Sequence, residues 1–191
     1  MLNKLIELFL KFPGIGPRQA KRFAYFLAGE DEKFRKNLAE LILEIKNEIK
    51  QCSSCYRFHQ SKAEQCNICS SLNRDKNLLM LVEKDVDLEN IERGGVYNGR
   101  YFVLGGTISL TSKSSNLKFK ELFNKVKEEK PEEIILALSA TVEGENTSRY
   151  IEKILEPLKI KITRLGRGLS TGTELEYSDS ETIANALKNR K

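Results

Sequence analysis

Residues 12–27 read FPGIGPRQAKRFAYFL, and the corner inside this stretch sets the reading of the N-terminal part. Before it, Leu2, Leu5, Ile6, Phe9 and Leu10 recur at helical spacing, which predicts a short amphipathic helix over 2–10. Pro13 discourages continuation of that helix, and Gly14 supplies the positive φ that a sharp exit requires. Gly16 carries no side chain and leaves its backbone open to close approach. Pro17 suits the first position of a new helix, where a missing N–H costs nothing. That second helix, predicted over 17–28, turns Ala20, Phe23, Ala24 and Leu27 to one face and carries Arg18, Lys21 and Arg22. Its start is an anion site by construction, because free amides and the positive end of the dipole meet there.

The pattern apolar-Pro-Gly-apolar-Gly, followed by Ala20 and Phe23, resembles the helix-hairpin-helix motif, which grips a nucleic-acid phosphate without reading bases. The resemblance implies that the amides of Gly14 and Gly16 hold the phosphate and that Arg18 and Arg22 add charge. The alternative is a purely structural turn between two packed helices. A third helix is expected from about 33 to 51, burying Leu38, Leu41, Ile42, Ile45 and Ile49.

Charge agrees with a polyanion-binding N-terminal part. The chain has 191 residues and a formal net charge of +5. Residues 1–51 carry a net +3, residues 52–76 a net +2, and residues 77–191 are neutral. No apolar run approaches a membrane span and no secretory leader is visible, so no membrane association and a cytoplasmic location are expected.

All four cysteines of the chain lie in CSSCYRFHQSKAEQCNIC (52–69). Cys52, Cys55, Cys66 and Cys69 form two Cys-x-x-Cys pairs with ten residues between them, the ligand set of a compact structural Zn²⁺ finger. Four sulfurs leave no open coordination position, and nothing indicates the oxidising compartment that disulfides need. His59 is a competing ligand, but a solvent-facing imidazole is expected.

From Leu78 the texture changes. Residues 78–83, 101–106, 132–139 and 159–165 read as strands, with helices at about 117–129 and 146–156 and another from about Ser180. The alternation implies βαβ units and a mainly parallel sheet. Glu83 ends the first strand, with Asp85 and Asp87 just beyond, and Glu143 and Glu145 follow the third. Side chains beyond the carboxyl ends of parallel strands converge on one crevice. Glu83, Asp87, Glu143 and Glu145 are thus candidates to hold Mg²⁺, with solvated loop acids as the alternative. A glutamate at a strand end followed by a later acidic pair resembles the Toprim domain of primases and topoisomerases. Those enzymes carry Asp-x-Asp where this chain has Glu143-Gly144-Glu145.

The fold class expected is multi-part α/β: a helix-hairpin-helix region (1–51), a four-cysteine finger (52–76), a Toprim-like domain (77–172) and a C-terminal segment with a helix (173–191). This order, with YNGRYFVLGG, TVEGENTSRYIEKIL and GTELEYSD, resembles the RecR family of bacterial recombination mediators over essentially the whole chain. The resemblance implies a non-catalytic protein of homologous-recombination repair that binds single- and double-stranded DNA without sequence preference. It further implies RecO and RecF as partners, help in loading RecA onto gapped single-stranded DNA, and a homo-oligomer, either a dimer or a ring tetramer. For the acidic crevice of Glu83, Asp87, Glu143 and Glu145 it implies partner contacts or metal binding. Leu169-Ser170 and Asn189 depart from the family's pattern in the C-terminal region, where relatives make oligomer contacts. The competing functions are a Mg²⁺-dependent Toprim enzyme (a small nuclease or a primase-like protein) and a protein-interaction module with an incidental basic surface.

Overall fold

The computed structural model describes residues 1–109 and 117–190, so Lys191, the end of the expected C-terminal segment, lies outside the described residues. The chain divides into two compact units, residues 1–49 and 50–191.

The first unit holds α1 (Leu2–Phe9), α2 (Pro17–Gly29) and α3 (Glu32–Glu48). Ala20 and Ala24 on α2 are completely buried, small side chains that let helices approach closely. Phe9 meets Phe23 edge-on at 5.7 Å and Phe26 meets Phe34 at 5.9 Å, so aromatic contacts join α1 to α2 and α2 to α3. Asp31 caps α3 by accepting from the Phe34 amide at 2.6 Å. The third helix differs from expectation in two ways. It stops at Glu48, and Leu41, Ile42 and Ile45 are more than half exposed instead of buried. Three short helices enclose too little volume to cover an apolar stripe four turns long.

The second unit begins with a two-stranded antiparallel ribbon, β1 (Lys50–Gln51) against β2 (Phe58–His59), followed by the one-turn α4 (Asn67–Ser70). The main sheet contains β3 (Asp75–Val82), β4 (Gly99–Val103), β5 (Glu133–Ala137) and β6 (Lys161–Arg164), all parallel, in the order β4-β3-β5-β6. The expected strands are present with edges shifted by up to three residues. The connecting helices are α5 (Asp85–Gly94), α6 (Phe119–Glu129) and α7 (Val142–Leu155); α8 (Ser180–Lys188) closes the chain. Helix α5 was not expected. Asp87 nucleates it by accepting from the Lys84 amide at 2.9 Å, a local cap inside a stretch of weak apolar period.

A parallel sheet must be covered on both faces. Leu79 and Leu81 of β3, Phe102 of β4, and Ile134 and Leu136 of β5 pack with Leu122 and Val126 of α6 and Ile151 and Leu155 of α7. The alternate residues Met80, Val82, Tyr101 and Val103 face the other way and pack with Leu88 of α5, Ile68 and all four cysteines. The finger therefore does the work of a covering helix. It is tied on by polar contacts as well, among them Val103 N–H donating to the Cys55 carbonyl at 2.8 Å, Phe58 N–H to Asp85 Oδ1 at 2.7 Å, and Lys125 Nζ to Ser54 Oγ at 2.8 Å. Finger and sheet share one core.

Replacing Asp85 by Ala removes the acceptor for Phe58 N–H at the seam. The expected cost is about 1 kcal/mol of stability of the second unit, read as a lower urea midpoint with the slope unchanged. An unchanged midpoint would show that the seam bond contributes nothing.

Candidate functional site

At the corner between α1 and α2, Gly14 has φ of +76°, the left-handed conformation expected from the sequence. Gly16 differs: its φ is −89°, and a Cβ built there meets nothing within 4 Å. Neither backbone strain nor packing inside the chain calls for glycine at position 16; a closely approaching outside group would. Ile15 is partly buried, and its amide donates to the Phe12 carbonyl at 3.2 Å. Ala20 N–H returns to the Gly16 carbonyl at 3.0 Å, which starts α2. Among the described residues, the amides of Gly14, Gly16, Arg18 and Gln19 have no acceptor. Arg18, Lys21 and Arg22 are exposed and make no ion pair there. The corner thus offers unpartnered donors and unneutralised cations on one tight turn. The Gln19 amide joins this set only once the helix start is seen.

The four cysteine sulfurs lie within 4.8 Å of one another, all buried, and are the only group of three or more His, Cys, Asp or Glu ligand atoms so gathered among the described residues. Cys55 Sγ and Cys66 Sγ are 3.6 Å apart, too far for a disulfide and close to the sulfur spacing of a tetrahedral four-thiolate site, roughly 3.8 Å for metal–sulfur bonds of about 2.3 Å. Cys66 N–H donates to Cys52 Sγ at 3.3 Å, the amide contact that favours a thiolate. Contacts from Cys55, Cys66 and Cys69 push the Cys52 thiol well below its ordinary range, and contact with Cys52 leads the causes that push Cys55 up. The donors fit a structural metal ion held by four sulfurs. His59 is not part of the group, nor is it solvent-facing as expected. It is buried in the β1–β2 ribbon, with Nδ1 accepting from Ser61 N–H at 3.3 Å.

The chain leaves β3 for β4 on one side and then crosses to β5 on the other, so a topological switch point lies between β3 and β5. Glu83 sits there, 6% exposed, with Ser139 Oγ donating to Oε2 at 2.9 Å and Lys84 Nζ on Oε1 at 2.8 Å. Asp87 caps α5. Helix α7 starts at Val142, earlier than expected, because Thr141 Oγ1 accepts from Gly144 N–H at 3.1 Å. Glu143 and Glu145 therefore occupy a helical first turn instead of a loop. A Cβ on Gly144 would lie 1.9 Å from the Ser139 carbonyl oxygen, so glycine is required for α7 to close against the segment that presents Ser139 to Glu83. Glu145 is clamped by two arginines, Arg164 Nη1 at 2.8 Å and Arg167 Nη2, and Arg164 also reaches Glu152 at 2.9 Å. Hydrogen bonding from Arg167 holds the Glu145 carboxyl below its usual range, with Arg164 adding to the effect. Ser139, Gly144, Arg164 and Arg167 were missed at the sequence level; a glycine between two glutamates was the one available signal.

Comparison with known proteins agrees across the chain. Residues 2–46 match the family described as RecR, helix-hairpin-helix; residues 77–166 match the Toprim domain; residues 168–191 match RecR, C-terminal. Recombination protein RecR of Chloroherpeton thalassium is 42% identical, covering 99% of this chain and 95% of that protein. Recombination protein RecR of Dehalococcoides mccartyi (strain 195) is 42% identical over 100% and 93%, and that of Staphylococcus saprophyticus 36% over 99% and 96%.

Two outcomes are expected here. Metal analysis should find about one ion per chain, and chelation should lower the melting temperature of the whole second unit in one transition, because cysteines and sheet share a core. A sheet transition unmoved by complete metal removal would contradict this. Because the folded Glu145 carboxyl is held low, its ion pairs stabilise fully above the ordinary glutamate range. That contribution is lost as pH falls through the lowered value. Glu145→Gln should therefore flatten the acid side of the stability profile, read by urea titrations across pH.

Proposed function

The chain belongs to the RecR family of recombination proteins, and on that premise we propose that it is a non-catalytic mediator that grips DNA through the α1–α2 corner. The observation that carries this reading is the set of amides at Gly14, Gly16, Arg18 and Gln19, unpartnered among the described residues, beside Arg18, Lys21 and Arg22, which are unpaired there. A phosphate satisfies such donors without any base edge being read, so affinity is sequence-independent and dominated by counterion release. Single and double strands both present that phosphate. In this reading the protein acts in the cytoplasm with RecO and RecF and helps to load RecA onto gapped single-stranded DNA.

Zinc is the proposed ion at the four cysteines, since soft thiolates in tetrahedral number suit it and no coordination position stays open for a substrate. The ion supplies a cross-link, and the chain's own hydrogen bonds transmit it to the sheet. Self-association, as a dimer or ring tetramer, is supported by the uncovered Leu41, Ile42 and Ile45 of α3. For Glu83, Asp87, Glu143 and Glu145 a partner-contact role is favoured over Mg²⁺: Glu83 is engaged by Lys84 and Ser139, and Glu145 by two arginines.

The test is salt-dependent DNA binding, measured by fluorescence anisotropy. Arg18→Ala with Arg22→Ala should reduce the slope of log affinity against log salt by about 1.5 to 2. Gly16→Val should leave the protein folded with only a small loss of melting temperature, from the N-cap of α2, since position 16 has open space and an ordinary φ, yet weaken binding by blocking close approach. A folded Gly16→Val protein with full affinity would place the DNA elsewhere.

A further inference from the structure

The geometry points to a docking groove for an acidic peptide carrying apolar side chains, between α6 and α7 on the outer face of the sheet unit. The groove has a volume of about 490 Å³. Its floor is apolar, with Phe119, Phe123, Tyr150, Ile154 and Pro157, and its rim carries Lys120 and Lys153. Tyr150 is 43% exposed, although its ring packs edge-on against Phe119 at 4.8 Å.

Charge specifies the occupant. Residues 77–191 are neutral overall, yet no carboxylate lines this groove among the described residues. Lys127 lies on the same face of α6 as Lys120 and Phe123, and Arg149 on the same face of α7 as Lys153, by helical spacing. Lys120, Lys127, Arg149 and Lys153 are all exposed and make no ion pair among the described residues. By contrast Arg164, close by in sequence, is neutralised by Glu145 and Glu152. Unpaired cations around an apolar trough complement a partner with carboxylates flanking one or two aliphatic or aromatic side chains. A polynucleotide is the poorer fit. Residues 77–191 carry no net positive charge to attract a phosphate backbone, and the cations here flank an apolar trough that phosphates would not fill.

The experiment uses the full chain and a fluorescein-labelled peptide, Glu-Glu-Leu-Phe-Glu-Glu, in fluorescence anisotropy. Binding is expected to weaken with salt and to fall roughly tenfold in the Lys120→Glu/Lys153→Glu variant, whose changes are both on the surface. Replacing Leu-Phe by Ser-Ser in the peptide, or Tyr150 by Ala in the protein, should cost a comparable factor. Three results overturn the assignment: no binding of the peptide; equal binding by the charge-reversed variant; or a fall in that variant's solution mass, which would make the groove an interface between copies. A labelled oligothymidine serves as control. If the variant loses oligothymidine binding while Arg18 and Arg22 are intact, the groove is a nucleic-acid surface and the peptide assignment fails. Retained oligothymidine binding with lost peptide binding supports it and leaves the hairpin reading separately testable.

Discussion

The backbone hydrogen bond from Val103 N–H to the Cys55 carbonyl, 2.8 Å long, is where two parts of this protein become one. Val103 ends β4, an edge strand of the sheet, and Cys55 is one of four converging thiols. An exposed strand edge invites unwanted pairing, and a small cysteine loop has too little apolar surface to fold by itself. Each part solves the other's problem. The finger shields the edge and covers Met80, Val82, Tyr101 and Val103, while those side chains give the finger the core it lacks.

That arrangement also orders the carboxyl end of the sheet. Immediately beyond Val103, Leu104 N–H donates to the Val82 carbonyl and Gly105 N–H to the Glu83 carbonyl, both at 3.0 Å. The finger's anchor is therefore two residues from the bond that holds the backbone of Glu83. Nearby, Thr141 and Gly144 set the start of α7 so that Ser139 meets the Glu83 carboxylate. The switch point of the sheet is thereby filled with satisfied polar contacts. Glu145 is diverted to Arg164 and Arg167 and so fastens the chain beyond β6 to α7.

The hairpin follows a different logic. Where the switch point pairs its polar groups internally, the α1–α2 corner leaves four amides and three cations without partners among the described residues. Unsatisfied donors cost little while water serves them, and they favour any phosphate that displaces that water. Sequence-independent grip follows from backbone donors, which every phosphate meets alike.

Elements with local causes were legible in the residue string. The Pro-Gly corner, the two Cys-x-x-Cys pairs and the four apolar strand runs depend on neighbours within a few positions, and the structure has all of them. Helix α5 and the early start of α7 rest on single capping contacts, Asp87 to Lys84 and Thr141 to Gly144, set among residues of weak apolar period. Other features required contacts between residues far apart in the chain. His59 is buried, α3 keeps its apolar stripe exposed, and the cysteines belong to the core of the sheet. The same holds for Glu145, whose carboxylate answers to arginines 19 and 22 residues away. The sequence by itself determined the hairpin helices, the four strands of the sheet and which ligands are available, but not α5, which no apolar period announces. The tertiary structure decided which faces are covered and which charges are paired, because burial and ion pairing depend on distances in space that periodicity and spacing do not encode.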